Sequence, residues 1–137
     1  MAHGEVDRHQ QRRAQRCPPA RPAGCAADAA RLLADAGTIS VVSLVSPYER
    51  DRRLAREAHE AAGLEFVEVF VDTPLEECER RDPKGLFAKA RAGEIENLTG
   101  VNAPYEAPTS PELVLRPEDA AVAVDRLLAL LHDRGVI

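Results

Sequence analysis

The sequence predicts an α/β fold with parallel strands and flanking helices. Two short β-branched apolar runs, at residues 39–45 and 66–71, each lead into a Ser/Thr-Pro segment that opens a helix. Strand, capped helix, strand, capped helix is the order of a parallel sheet with crossover connections. Composition agrees. The chain has 137 residues, 45% hydrophobic and 30% charged, which suits one domain with a core of its own. Aromatics are 4% and Trp is absent, so that core must be built from Leu, Val, Ile and Ala.

The elements follow in order. Residues 1–26 are rich in Arg, Gln, Pro and Ala, with Val6 the one branched apolar side chain. Such a stretch cannot bury enough apolar area to offset its ordering entropy, and reads as disordered or loosely attached. The domain is expected over 27–137. Leu32, Leu33 and Ala36 give a helix over 28–36, with Gly37 as its stop. The run 39–45 is short, β-branched and almost continuously apolar, and reads as a strand buried on both faces. Ser46 is placed to cap the next helix, with Pro47 at its first position and Glu49 completing a capping box. That helix is expected to run to Ala62 and stop at Gly63.

The second strand, 66–71, ends at Asp72, and Thr73, Pro74 and Glu76 repeat the capping arrangement. Asp82-Pro83-Lys84-Gly85 breaks the helix that follows, and a mobile-looking stretch is expected from there to about Gly100. A Pro-rich loop spans 103–111, a short strand 112–115, and Pro117 starts a last helix. Its apolar stripe reads as Ala121, Val124, Leu127, Leu128 and Leu131.

The net charge of −5 argues against a nucleic-acid-binding domain. Cys17, Cys25 and Cys78 form no C-x-x-C pair and no zinc-like spacing, which suggests reduced thiols and a cytoplasmic setting. No apolar run is long enough to cross a membrane. The basic N-terminal stretch has no hydrophobic segment behind it, so no secretory signal is read there.

Ligands of open parallel sheets bind beyond the C-terminal ends of the strands. Ser46-Pro47-Tyr48 and Asp72-Thr73-Pro74 sit there, each at a helix start that favours an anion. Ser46 and Thr73 read equally as ordinary caps. Residues 80–91 hold Arg80, Arg81, Lys84, Lys89 and Arg91 around a Pro/Gly break. That is what a phosphate-clamping lid needs, and also what a solvated helix face looks like.

Residues 70–87, FVDTPLEECERRDPKGLF, closely resemble the adenylylsulfate kinase family, whose pattern runs F-V-D-T-P-L and then C-E-x-R-D-P-K-G-L-Y. The resemblance continues through residues 33–37 and 45–48 upstream, and 89–95, 99–101 and 104–108 downstream, about four-fifths of the chain in order. It implies a P-loop kinase fold that phosphorylates the 3′-hydroxyl of adenosine 5′-phosphosulfate with ATP and Mg²⁺, a step of sulfate assimilation. It implies that Val45 and Ser46 face adenylylsulfate, that Lys84 and Leu86 contact it from the lid, and that Arg81 lies along the adenine of the nucleotide. Ser46 is the candidate catalytic residue. Leu98 stands where the family commonly has an aromatic that stacks on the substrate adenine.

Departures from the pattern bear on activity. The family's first strand leads into G-x-x-x-x-G-K-[ST], whose backbone cradles phosphates and whose hydroxyl holds Mg²⁺. These 137 residues contain no Gly-Lys dipeptide, and nothing before residue 39 reads as that strand and loop. The expected architecture is therefore a truncated P-loop kinase fold, with first strand and P-loop missing. The groups that would hold ATP and Mg²⁺ go with them. Glu49 replaces a common basic residue, Phe87 and Ala88 a common Tyr-Lys, and Asn102 a common Asp. Arg12 or Arg13 is the nearest counterpart of a substrate arginine.

Two readings stand against each other. One is an adenylylsulfate kinase homologue with little or no turnover. The other is a non-catalytic subunit that pairs with a full-length kinase or with sulfate adenylyltransferase, or else a truncated gene product without a stable fold. The resemblance and an exposed sheet edge both lead us to expect a homo-oligomer.

Overall fold

A computed structural model describes residues 22–117 and 119–137. The chain divides into two units, Met1–Phe66 and Val67–Ile137.

In the first unit, α1 (Pro22–Asp35) and α2 (Glu49–Glu60) pack on each other. Both end as the sequence predicts. Gly37 and Gly63 take left-handed backbone, with φ of 81° and 69°. The amides just beyond them, of Thr38 and Leu64, return to the carbonyls of Leu33 and His59 at 3.0 Å each. An L side chain would resist that conformation, and glycine does not. α1 begins at Pro22, not at Asp28, so the expected boundary at residue 26 falls within it. Residues 1–21, including Arg12 and Arg13, lie outside the described residues.

The start of α2 differs from the expectation. Its N-cap is Tyr48, which makes no side-chain capping bond, while Ser46 lies two residues earlier with φ 38°. Ser46 lies outside the N-cap position, and its positive φ is not the extended backbone of a capping residue, so its hydroxyl does not cap α2. Its carbonyl instead accepts from Arg52 Nη1 at 2.8 Å. Residues 39–45 are not a strand either. Val41 is 84% exposed and Val45 66%. Among the described residues no strand pairs with this run, and β-branched composition does not make a strand without a hydrogen-bonding neighbour. His59 anchors the unit. It is buried at 5% exposure, bonds the Ala55 carbonyl through Nδ1 at 2.8 Å, and sits 5.2 Å from the Phe66 ring. The Arg56 guanidinium lies 4.9 Å from the centre of the same ring.

In the second unit, β1 (Val69–Val71) and β2 (Leu113–Leu115) pair in parallel, Val69 with Leu113, Phe70 with Val114 and Val71 with Leu115. The parallel relation matches the expectation, although the first run keeps only its last three residues as strand. The Asp72 amide extends the ladder to the Leu115 carbonyl at 2.7 Å, and Glu112 Oε2 accepts from the Glu68 amide at 2.7 Å. Tyr105 stacks on Phe70 with ring centres 6.1 Å apart.

Between the strands lie α3 (Leu75–Arg81) and α4 (Leu86–Arg91). Pro74, not Thr73, is the N-cap of α3. The stretch expected to be mobile contains α4, whose Ala90 is buried. The last helix, α5 (Ala120–Asp133), is capped by the Asp119 carboxylate on the Ala121 amide at 2.8 Å. Its half-buried positions are Ala123, Leu127, Leu130 and Leu131, while Val124 and Leu128 are about half exposed. The stripe is thus rotated from the expected one, because β2 is the strand beside this helix and Arg126 reaches the Val114 carbonyl at 3.0 Å.

Cys78 is a free thiol, as expected, but Cys25 is in a disulfide. Sequence spacing carries no information on which thiols meet in space. Among the described residues no helix is long and apolar enough to cross a membrane.

A seven-residue helix is too short to be stable through its backbone alone. In α3 a single carboxylate supplies support: Glu77 binds Arg80 through two bonds of 2.7 Å and Arg81 Nε at 2.6 Å. Arg80 first, then Arg81, holds the Glu77 carboxyl down to about 2 from an ordinary 4.5. Because the folded-state value is depressed, this contribution is complete above 4.5 and is lost as pH falls toward about 2. Amide exchange in α3 should therefore quicken over that window in wild type. Glu77→Gln, which does not titrate, should show no such step; an identical step in both would contradict the assignment. Asp119→Ala should cost roughly 1 kcal/mol in urea unfolding, the usual worth of a cap. An unchanged midpoint would show that α5 does not depend on it.

Candidate functional site

The lid-like segment of the second unit is built from the end of α3. α3 ends at Arg81, and Asp82-Pro83-Lys84-Gly85 turns the chain into α4. The Gly85 amide closes the turn on the Asp82 carbonyl at 3.0 Å. Gly85, with φ 66°, is the N-cap of α4 and has no side chain to offer the helix. Asp82 supplies the missing acceptors, Oδ1 to the Phe87 amide at 3.3 Å and Oδ2 to the Ala88 amide at 3.1 Å.

The five cations of this segment are not equivalent. Arg80 and Arg81 are both held by Glu77, and Arg91 is paired with Glu79. Lys84 and Lys89 are exposed, and among the described residues neither has a carboxylate partner. An incoming anion therefore meets a free ammonium at Lys84, whereas at Arg81 it competes with Glu77. Leu86, 40% exposed, opens α4 one residue past the turn.

Leu98 lies in a tight loop after α4. Its amide donates to Asn102 Oδ1 at 2.6 Å, and its carbonyl accepts from the amides of Val101, Asn102 and Ala103. Asn102 Nδ2 donates in turn to the Ile95 carbonyl at 2.8 Å. Asn97 beside it has φ 61°, a conformation that asparagine tolerates better than most residues. Leu98 itself is half-buried.

The structure thus places Arg81, Lys84 and Leu86 on one continuous turn and Leu98 on a second loop of the same unit. Val45, exposed, and Ser46, half-buried, belong to the first unit, on the segment leading into α2. Sequence reasoning missed three residues that shape these segments. Glu77 was legible in principle, three and four residues ahead of two arginines on a helix. Asp82 and Asn102 act across loops, which periodicity does not report. Among the described residues no three His, Cys, Asp or Glu side chains come together to hold a metal ion.

Comparison with known proteins agrees with the motif. The adenylylsulphate kinase family model matches residues 13–116. The adenylyl-sulfate kinase of Pseudomonas aeruginosa is 52% identical over 109 residues, covering 77% of this chain and 54% of its own length. That of Saccharomyces cerevisiae is 55% identical over 95 residues, covering 69% of this chain and 47% of its own length. The bifunctional enzyme NodQ of Rhizobium sp. (strain N33) is 55% identical over 112 residues, 80% of this chain and 17% of the enzyme. The structure of the Mycobacterium tuberculosis APS kinase CysC in complex with AMPPNP and APS aligns with a TM-score of 0.75 at 41% identity, over 96% of this chain and 70% of that one. The chain spans about half the length of the adenylyl-sulfate kinases it matches. With most of its length matched by the family model, this chain belongs to the adenylylsulphate kinase family.

Proposed function

We propose that this chain carries the adenylylsulfate-binding side of an adenylylsulfate kinase, and that these 137 residues alone transfer no phosphoryl group. The observation that supports the first part is the turn that presents Lys84 as an unpaired cation next to exposed Leu86. A sulfate–phosphate anhydride attached to a nucleoside offers both an anionic and an apolar surface, and the two side chains match them. Val45, Ser46 and Leu98 are proposed to complete the contacts, with Leu98 supplying apolar area without aromatic stacking. Ser46 remains the candidate catalytic group. Where the Gly-Lys-Ser/Thr loop is also present, Arg81 is proposed to lie along the adenine of ATP, held by its bond to Glu77; without that loop it is not expected to hold ATP.

In the reaction of the family, the 3′-hydroxyl of adenylylsulfate attacks the γ-phosphorus of ATP, ADP leaves, and the hydroxyl proton is released. The barrier is lowered chiefly by positioning and by charge aimed at the transferring group. The Gly-Lys-Ser/Thr loop that supplies both is not among these residues. Binding proposed for this chain therefore rests on its own cations. The proposed setting is cytoplasmic on the strength of the family, since the disulfide at Cys25 removes part of the argument from cysteine usage.

A second reading, a non-catalytic partner subunit or a homo-oligomer, is favoured by the run 39–45. Ile39, Val41, Val42, Leu44 and Val45 are all about half exposed or more, a stretch that invites association. Light scattering of the purified chain separates a monomer from either assembly.

Calorimetric titration tests the main reading. Adenylylsulfate should bind the wild-type chain, MgATP should give no binding heat, and no ADP should form when both are present. Lys84→Ala should weaken adenylylsulfate about tenfold, the loss of one charge-assisted bond of roughly 1.5 kcal/mol. Turnover, or equal affinity in the variant, would contradict the proposal.

A further inference from the structure

We propose that Asp82 is a positioning residue for Lys84: by holding the first free amides of α4, it fixes the turn that presents the lysine to its anionic ligand. The inference rests on the reading of Lys84 as an adenylylsulfate contact.

α4 has six residues, too few to hold itself, and its opening amides have no intrahelical acceptor. The residue at its N-cap is Gly85, which has no side chain to accept from them. Asp82 does so from three residues upstream, with one carboxylate oxygen on Phe87 and the other on Ala88. Its own carbonyl takes the Gly85 amide. Three bonds from one residue therefore span the whole of 82–88. Within that span Pro83 has a ring-locked φ, and Gly85 supplies the left-handed step that closes the turn. Lys84 is left as the one long side chain of the turn without a partner.

The use of both Asp82 oxygens on backbone has a second consequence. An aspartate two residues from a lysine could serve as its counter-ion, yet no ion pair joins Asp82 to Lys84. The carboxylate is committed to α4, where the helix N-terminus favours a negative charge, and the ammonium stays available. Aspartate here sets the geometry of the lysine without neutralising it. Asparagine can keep one of the two amide contacts, and alanine neither.

A double-mutant cycle with adenylylsulfate affinity as the readout tests this, together with amide exchange of Phe87 and Ala88. Asp82→Ala should quicken exchange at those two amides and weaken adenylylsulfate about tenfold, while Asp82→Asn should recover much of both. Lys84→Ala, costly in wild type, should add less than about twofold in the Asp82→Ala background, because a lysine already misplaced has little left to lose. Unfolding midpoints identify any variant that fails to fold, and Asp82→Asn then carries the test. Additive losses would overturn the inference while leaving the reading of Lys84 intact. Unchanged exchange in Asp82→Ala would overturn it as well. A wild-type chain that binds no adenylylsulfate would overturn the reading of Lys84 and, with it, the task assigned to Asp82.

Discussion

The three-residue parallel ladder between β1 and β2 is the constraint on which the second unit depends. Val69–Val71 and Leu113–Leu115 are separated by some forty residues, and their pairing forces the intervening chain to leave and return on the same side of a shared register. Everything proposed to meet a ligand in this unit lies on that excursion: Arg81, Lys84, Leu86 and Leu98. The ladder is short, so its neighbours matter. The Glu112 carboxylate on the Glu68 amide prolongs it at one end and the Asp72–Leu115 bond at the other. Phe70 against Tyr105 ties the Pro-rich loop back to the first strand.

Within the excursion, order is imposed by side chains on backbone more than by regular structure. α3 and α4 are seven and six residues long. Glu77 braces the first from within, and Asp82 braces the second from outside. Asn102 performs the same service for the loop of Leu98, accepting from one backbone group and donating to another. An aspartate there could accept but not donate, so the asparagine at a position where the family commonly has aspartate has a local structural use. Charge is distributed by the same bonds. Three arginines of the segment are matched to glutamates, which leaves the lysines as its free cations.

What was legible in the sequence was what is decided locally. Gly37 and Gly63 stop helices because a left-handed residue is a property of one position. The break at Asp82-Pro83-Lys84-Gly85 was likewise readable from its residue types, and so was the parallel rhythm that relates β1 to β2. The run 39–45 was not, since a strand is a relation between two segments and composition reports only one. Ser46 and Thr73 had the right chemistry for caps, but the helices start later, with Tyr48 and Pro74 at their N-cap positions, and residue type alone does not fix which residue a helix starts from. The lid looked like five equivalent cations because the glutamates that claim three of them sit on neighbouring turns. Family membership was readable from the F-V-D-T-P-L and R-D-P-K-G motifs and is matched over 13–116.

The central claim is that the turn of Lys84 and the loop of Leu98 meet the same ligand. Chemical-shift mapping of the isotopically labelled chain with adenylylsulfate tests it most directly. The account predicts saturable shifts at Lys84, Leu86 and Leu98, with the amides of α5 unmoved. Shifts confined to α5 or to the arginines of α3, with Lys84 and Leu98 silent, would contradict it.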